Sequence, residues 1–105
     1  MVGGASPLIG VFVGNNLHIS YDLNVPGQNY DVVIAKIKTL GGWAKIHKSY
    51  WYVNSNLTAR QACDAVWAVM DPSDTIYVAD TTTNVAAWQN IAPEAATYIR
   101  DHWTR

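Results

Sequence analysis

Polar and apolar positions alternate from Asn16 to Leu23. Leu17, Ile19 and Tyr21 fall on one side of an extended chain, and His18, Ser20 and Asp22 on the other. This pattern predicts a first strand that ends on a carboxylate. Val25-Pro26-Gly27-Gln28 places Pro and Gly for a type II turn. Asn29 then caps a helix from Tyr30 to about Leu40, with Val33, Ile34, Ile37 and Leu40 as its buried stripe and Lys36 and Lys38 outside. Gly41-Gly42 ends the helix as a left-handed cap. Trp43 to Asn54 is rich in strand formers and breaks at Lys48-Ser49 into a hairpin whose second strand begins Tyr50-Trp51-Tyr52-Val53. Thr58-Ala59-Arg60-Gln61 is a capping box that opens a second helix reaching about Met70, with Ala62, Val66 and Val69 inward and Asp71-Pro72-Ser73 as its stop. Thr75 to Asp80 is a strand with Ile76 and Val78 on one face. Residues 85 to 91 read as a short strand or a helical turn. Pro93 opens a last helix, Glu94 to about Trp103, where His102-Trp103 docks the helix or offers a free end to a partner.

The order is strand, helix, strand, strand, helix, strand, helix. The first six elements make the α+β ferredoxin-like βαββαβ arrangement: a four-stranded antiparallel sheet with two helices on one face, plus an extra C-terminal helix. The expected organisation is an N-terminal arm or extra strand over residues 1–15 and a single domain over 16–105. Within the arm, Gly10 to Val13 reads either as flexible chain or as a strand that pairs with an edge or with another subunit. The second sheet face carries Tyr and Trp and would be poorly soluble if uncovered, so homodimerisation through it is the simplest remedy.

Composition narrows the classes. Of 105 residues, 50% are hydrophobic and 14% charged, which is globular rather than disordered. Five Trp and six Tyr against one Phe exceed what a small core needs and suit half-buried surfaces and interfaces. A net charge of -1 lacks the basic footprint of a dedicated nucleic-acid binder. The single cysteine, Cys63, excludes an intrachain disulfide; it reads as inert helix core and fits a reducing compartment. Leu8 to Val13 is too short to span a bilayer, and Met1 to Pro7 has no basic residue to start a secretory signal. The expectation is a cytoplasmic protein with no membrane contact.

Few residues carry chemistry. His18, Ser20 and Asp22 share a strand face, but Ser20 lies between the other two, which is the wrong order for a hydrolase relay. They read instead as a polar stripe on an interface or ligand face, joined there by Tyr21, Tyr50, Trp51 and Tyr52. Lys45 and His47 share a face of the next strand and extend that stripe, and His47 near Asp22 would serve as a general base. No zinc spacing, dinucleotide-binding glycine pattern or phosphate-binding loop is present, so no cofactor is expected.

Ile19-Ser20-Tyr21-Asp22-Leu23-Asn24, Pro26-Gly27-Gln28 and Tyr30, with Ser49 and Trp51 in the hairpin and Ser73-Asp74 before the last strand, resemble small bacterial and phage proteins labelled "SinR family". The resemblance spans roughly residues 17 to 88. That group is similar to the ferredoxin-fold subunit of the CRISPR adaptation complex and to virulence-associated protein D. The resemblance implies a ferredoxin-like homodimer, and for some members metal-dependent nuclease activity. In that reading Asp22 from two subunits holds Mg²⁺ at the dimer seam, with Tyr21 beside it. The chain departs from the adaptation subunit by having Leu23-Asn24-Val25-Pro26 after the acid and Lys48-Ser49-Tyr50-Trp51 in the hairpin, with fewer basic residues to neutralise phosphate. Three functions follow: a dimeric non-enzymatic interaction module of a phage, mobile-element or defence system; a metal-dependent endonuclease using Asp22; or a phage-encoded inhibitor of a host defence protein.

Overall fold

The computed structural model describes residues 2–3, 14–24, 30–82 and 86–104. Among them, five strands and three helices run β1 (Val2–Gly3), β2 (Asn15–Asp22), α1 (Tyr30–Lys38), β3 (Gly42–His47), β4 (Tyr50–Ser55), α2 (Ala59–Trp67), β5 (Thr75–Asp80) and α3 (Pro93–His102). The sheet order is β1-β3-β4-β2-β5 and every pairing is antiparallel. β2 to β5 with α1 and α2 make the ferredoxin-like arrangement, with α3 as the additional C-terminal helix. Two-residue β1 extends it on the outer edge of β3. The expected strand at Gly10–Val13, the Pro26-Gly27 turn and the Asn29 cap lie outside the described residues.

The alternation in β2 sorts the interior into two halves. Leu17, Ile19 and Tyr21 join Trp43, Trp51 and Val53 beneath Val33 and Ile37 of α1 and Ala62 and Val66 of α2. Burying such side chains is worth roughly 1.5–3 kcal/mol each. α2 starts where its capping box predicts: the Gln61 N–H donates to Thr58 Oγ1 at 3.1 Å, and the Thr58 N–H donates to Gln61 Oε1 at 3.0 Å.

The opposite face corrects one expectation. It is not left open to a second subunit along its whole length, because α3 and the chain after it lie across part of it. Ala95 and Ile99 pack on Ala44 and Tyr52, with Ile46, Trp88, Ile91 and Tyr98 around them. The tail is fastened by buried amides. Asn16 Nδ2 donates to the Thr104 carbonyl at 2.8 Å. Asn16 Oδ1 accepts from the Thr104 N–H at 3.0 Å and from the Tyr52 hydroxyl at 2.9 Å. Asn54 Nδ2 donates to the His102 carbonyl at 3.0 Å. Asn16 is fully buried, so each of these bonds replaces water that the site excludes.

A second correction concerns Gly41-Gly42. Neither glycine adopts a left-handed conformation. They are needed for close approach instead: a Cβ on Gly41 would collide with the Asn54 carbonyl oxygen, and one on Gly42 with the Tyr98 hydroxyl. Among the described non-glycine residues, positive φ falls on Ser49, at 62° in the β3–β4 turn, and on Asn90, at 61°.

Asn16→Ala should therefore destabilise the protein by about 3 kcal/mol, since it removes three hydrogen bonds at once: the N–H and carbonyl of Thr104 lose their side-chain partner, and the Tyr52 hydroxyl keeps only its longer contacts to the His102 carbonyl and Asn54 Nδ2, at 3.3 Å each. Chemical denaturation checks the size of the loss. Faster amide exchange at Ala95 to Ile99 than in α1 would locate it at the tail.

Candidate functional site: the uncovered half of the second sheet face

Strand register lays the second face out in rows. The first row, Gly42, Asn54 and Asn16, is covered by the tail. The second runs Ala44, Tyr52, His18, Ala79 and passes out from under α3 at His18. The third runs His47, Tyr50, Ser20, Tyr77 and is uncovered by α3. Asp22 pairs with Thr75 beyond it.

The uncovered rows form a groove of about 550 Å³, bounded by His18, Ser20, Tyr50, Tyr77 and Trp103. His18 is its centre. Its Nδ1 lies 3.2 Å from the Tyr50 hydroxyl, and its ring meets the rings of Tyr50, Tyr52 and Trp103 edge-on at 5.8, 5.9 and 6.0 Å between centroids. Trp103 is held in turn by stacking on Tyr52, at 5.7 Å and 16° between planes. Burial among these rings pushes the His18 imidazole below its usual 6.5, so it is neutral at neutral pH. The same burial pushes the Tyr52 hydroxyl up to about 12.

The residues singled out in the sequence separate between two faces. His18, Ser20 and Tyr50 share the groove. Tyr21 and Trp51, expected on the same interface or ligand face, point the other way into the core under α1 and α2, where Trp51 Nε1 lies 3.4 Å from the Tyr21 hydroxyl. Their alternation with Ser20 and Tyr50 requires it. Tyr52 is on the groove side but fully buried beneath the tail. Lys45 and His47 do not share a face, because a bulge between them shifts the register. Lys45 turns to the Trp51 ring, 5.9 Å from its centroid, whereas His47 packs on Tyr50 at 5.1 Å. His47 is exposed, with Nδ1 3.1 Å from the Lys48 carbonyl. Asp22 ends β2, which lies between β4 and β5 as the expected central strand, and it is exposed. Among the described residues no group of three or more His, Cys, Asp or Glu side chains is placed to hold a metal ion, and no helix is long and apolar enough to cross a membrane. Cys63 is partly exposed rather than core.

Sequence reasoning missed Tyr77 and Trp103 as groove walls. Tyr77 was legible as the one large residue opposite Ile76 and Val78 in β5. Trp103 was not, because its place depends on the path of the tail.

No family model, no curated protein and no solved structure matches this chain. Five of the residues quoted for the "SinR family" resemblance, Tyr21, Asn24, Ser49, Ser73 and Asp74, are in hydrogen-bond contact. The Asn24 N–H donates to Asp74 Oδ1 at 3.0 Å, Asn24 Nδ2 donates to the Ser73 carbonyl at 2.7 Å, and the Tyr21 N–H donates to the Ser49 carbonyl at 3.2 Å. Asp74 is buried and also accepts from the Asp71 N–H at 2.8 Å. These contacts clamp the end of β2 to the start of β5 and to the hairpin.

The neutral state of His18 has a consequence for stability. The unfolded chain takes up this proton near pH 6.5 and the folded chain only below that, so stability present above about pH 6.5 is lost as pH falls through the lowered value. The unfolding temperature should drop between about pH 7 and pH 5, and His18→Phe, which keeps a neutral ring there, should flatten that part of the profile. Thermal melts across the range are the check. Asp71 is held low by the Ser73 N–H and hydroxyl and titrates below this window.

Proposed function

We propose that this protein is a dimeric, non-enzymatic protein-interaction module, and that the outer edge of β5 is the element it shares with its partner, a second copy of the chain. The observation that carries the reading is the phase of hydrogen bonding along β5. The Thr81 N–H donates to the Asn16 carbonyl at 2.8 Å, and alternation from there turns the backbone groups of Tyr77 and Ala79 toward β2. The N–H and C=O groups of Ile76, Val78 and Asp80 therefore face outward, and among the described residues no strand pairs with them. Natural edges are usually blunted by Lys, Pro or a bulge. Thr75-Ile76-Tyr77-Val78-Ala79-Asp80 has no Lys or Pro and keeps an unbroken register with β2. A strand added there gains main-chain hydrogen bonds along an element already held flat by β2.

The "SinR family" resemblance supports the same reading, because it implies a ferredoxin-like homodimer, and it is the ground for a phage, mobile-element or defence setting. An inhibitor of a host protein would use the same edge with a different occupant.

Sedimentation analysis tests the reading. The wild type and Val78→Ala should be dimers at micromolar concentration, whereas Val78→Pro, which removes an outward N–H without breaking the ladder to β2, should be a folded monomer. A monomeric wild type, or a Val78→Pro protein that stays dimeric, would refute it. Mg²⁺- or Mn²⁺-dependent cleavage of nucleic acid that disappears in Asp22→Ala would put the nuclease reading in its place.

A further inference from the structure

We propose that the groove between Tyr77 and Trp103 is a binding site for an uncharged, planar ring compound of the size of an indole or a nucleobase, a site independent of how copies of the chain associate. Three observations converge. Its volume, about 550 Å³, lies within the range of small-molecule sites. Among the described residues its lining contains no Lys, Arg, Asp or Glu, so a charged ligand would give up its hydration for no counter-charge. Its walls are rings and its gaps are alanines. Tyr50 and Tyr77 offer aromatic surface and Trp103 closes the end, while Ala79, Ala86 and Ala87 stand where longer side chains would fill the space.

The arrangement is also held open rather than collapsed. Trp103 cannot fall into the groove while it is stacked on Tyr52 and its neighbours His102 and Thr104 are tied to Asn16 and Asn54. Tyr77 stands 69% exposed, so one of its faces has no covering group. A ring entering the groove would stack on this open face of Tyr77 without moving the backbone. His18 and Ser20 provide the polar floor that orients a ring nitrogen or carbonyl. With Tyr50 as the hydrogen-bond partner of Nδ1, the remaining ring nitrogen of His18 is the one available to a ligand.

The Ala79 position is the sharpest part of the case. Alanine is a poor strand former, yet it occupies β5 directly opposite His18 on the groove side. Valine or isoleucine there would suit the strand better and would close the groove.

The test is an NMR titration of the full chain with indole, using benzoate and benzylammonium as charged controls. Indole should give saturable shifts centred on His18, Ser20, Tyr77 and Ala79, and both charged probes should bind at least about tenfold more weakly, the loss expected when a charge is buried without a partner. Ala79→Leu should abolish the indole shifts. Tyr77→Ala, at an exposed position that the fold does not need, should weaken binding roughly 2- to 10-fold, the worth of one aromatic contact. Shifts scattered over the surface, shifts unchanged by Ala79→Leu, no saturable response to indole, or equal binding of the charged probes would each overturn the proposal.

Discussion

The carboxamide of Asn16 is the constraint on which the second half of this structure rests. It is buried, and every polar atom of its side chain is committed to the hydroxyl of Tyr52 or the backbone of Thr104. A buried amide with those partners fixes one path for the tail, because any other path leaves donors and acceptors unpaired at a cost of about 1–3 kcal/mol each. Leucine at the same position would bury as well but would leave the tail free to slide. The network decides how far α3 and the tail extend over the sheet, and so where the groove begins.

The first half was plain in the sequence. The alternation of Leu17, Ile19 and Tyr21, the Thr58–Gln61 box and the Ile76–Val78 pair each specify local structure through a short-range rule, and together they yield the ferredoxin-like order. What was not legible depended on contacts distant in sequence. The tail meets β2 across more than 80 residues through Asn16, and nothing in the periodicity of α3 says which face of the sheet it will choose. The bulge in β3 was equally hidden: Lys45 and His47 are two apart, and simple alternation puts them together. Grouping Tyr21 and Trp51 with Ser20 and Tyr50 ignored that same alternation, which the structure enforces.

The motif that suggested a relative has a structural explanation of its own. Asn24, Ser49, Ser73 and Asp74 are spread over three loops, and their hydrogen bonds join the far end of β2 to the hairpin and to the start of β5. The side chains of Asn24 and Asp74 reach backbone groups, whereas Ser49 and Ser73 contribute their backbone carbonyls. Such a clamp asks for an amide at Asn24 and a carboxylate at Asp74 to close this end of the sheet, whatever Asp22 does beside it.

The bulge between Lys45 and His47 sets the groove apart electrically. It sends Lys45 to the helix side, where Lys38 also lies 4.5 Å from the Trp43 ring, so that among the described residues no Lys, Arg, Asp or Glu lines the groove. Dissolved electrolyte acts on the two sides unequally. Counter-ions screen the ammonium groups poised over the indoles of one surface, while the contacts of His18 with the rings of Tyr50, Tyr52 and Trp103, having no monopole to shield, are indifferent to the salt around them.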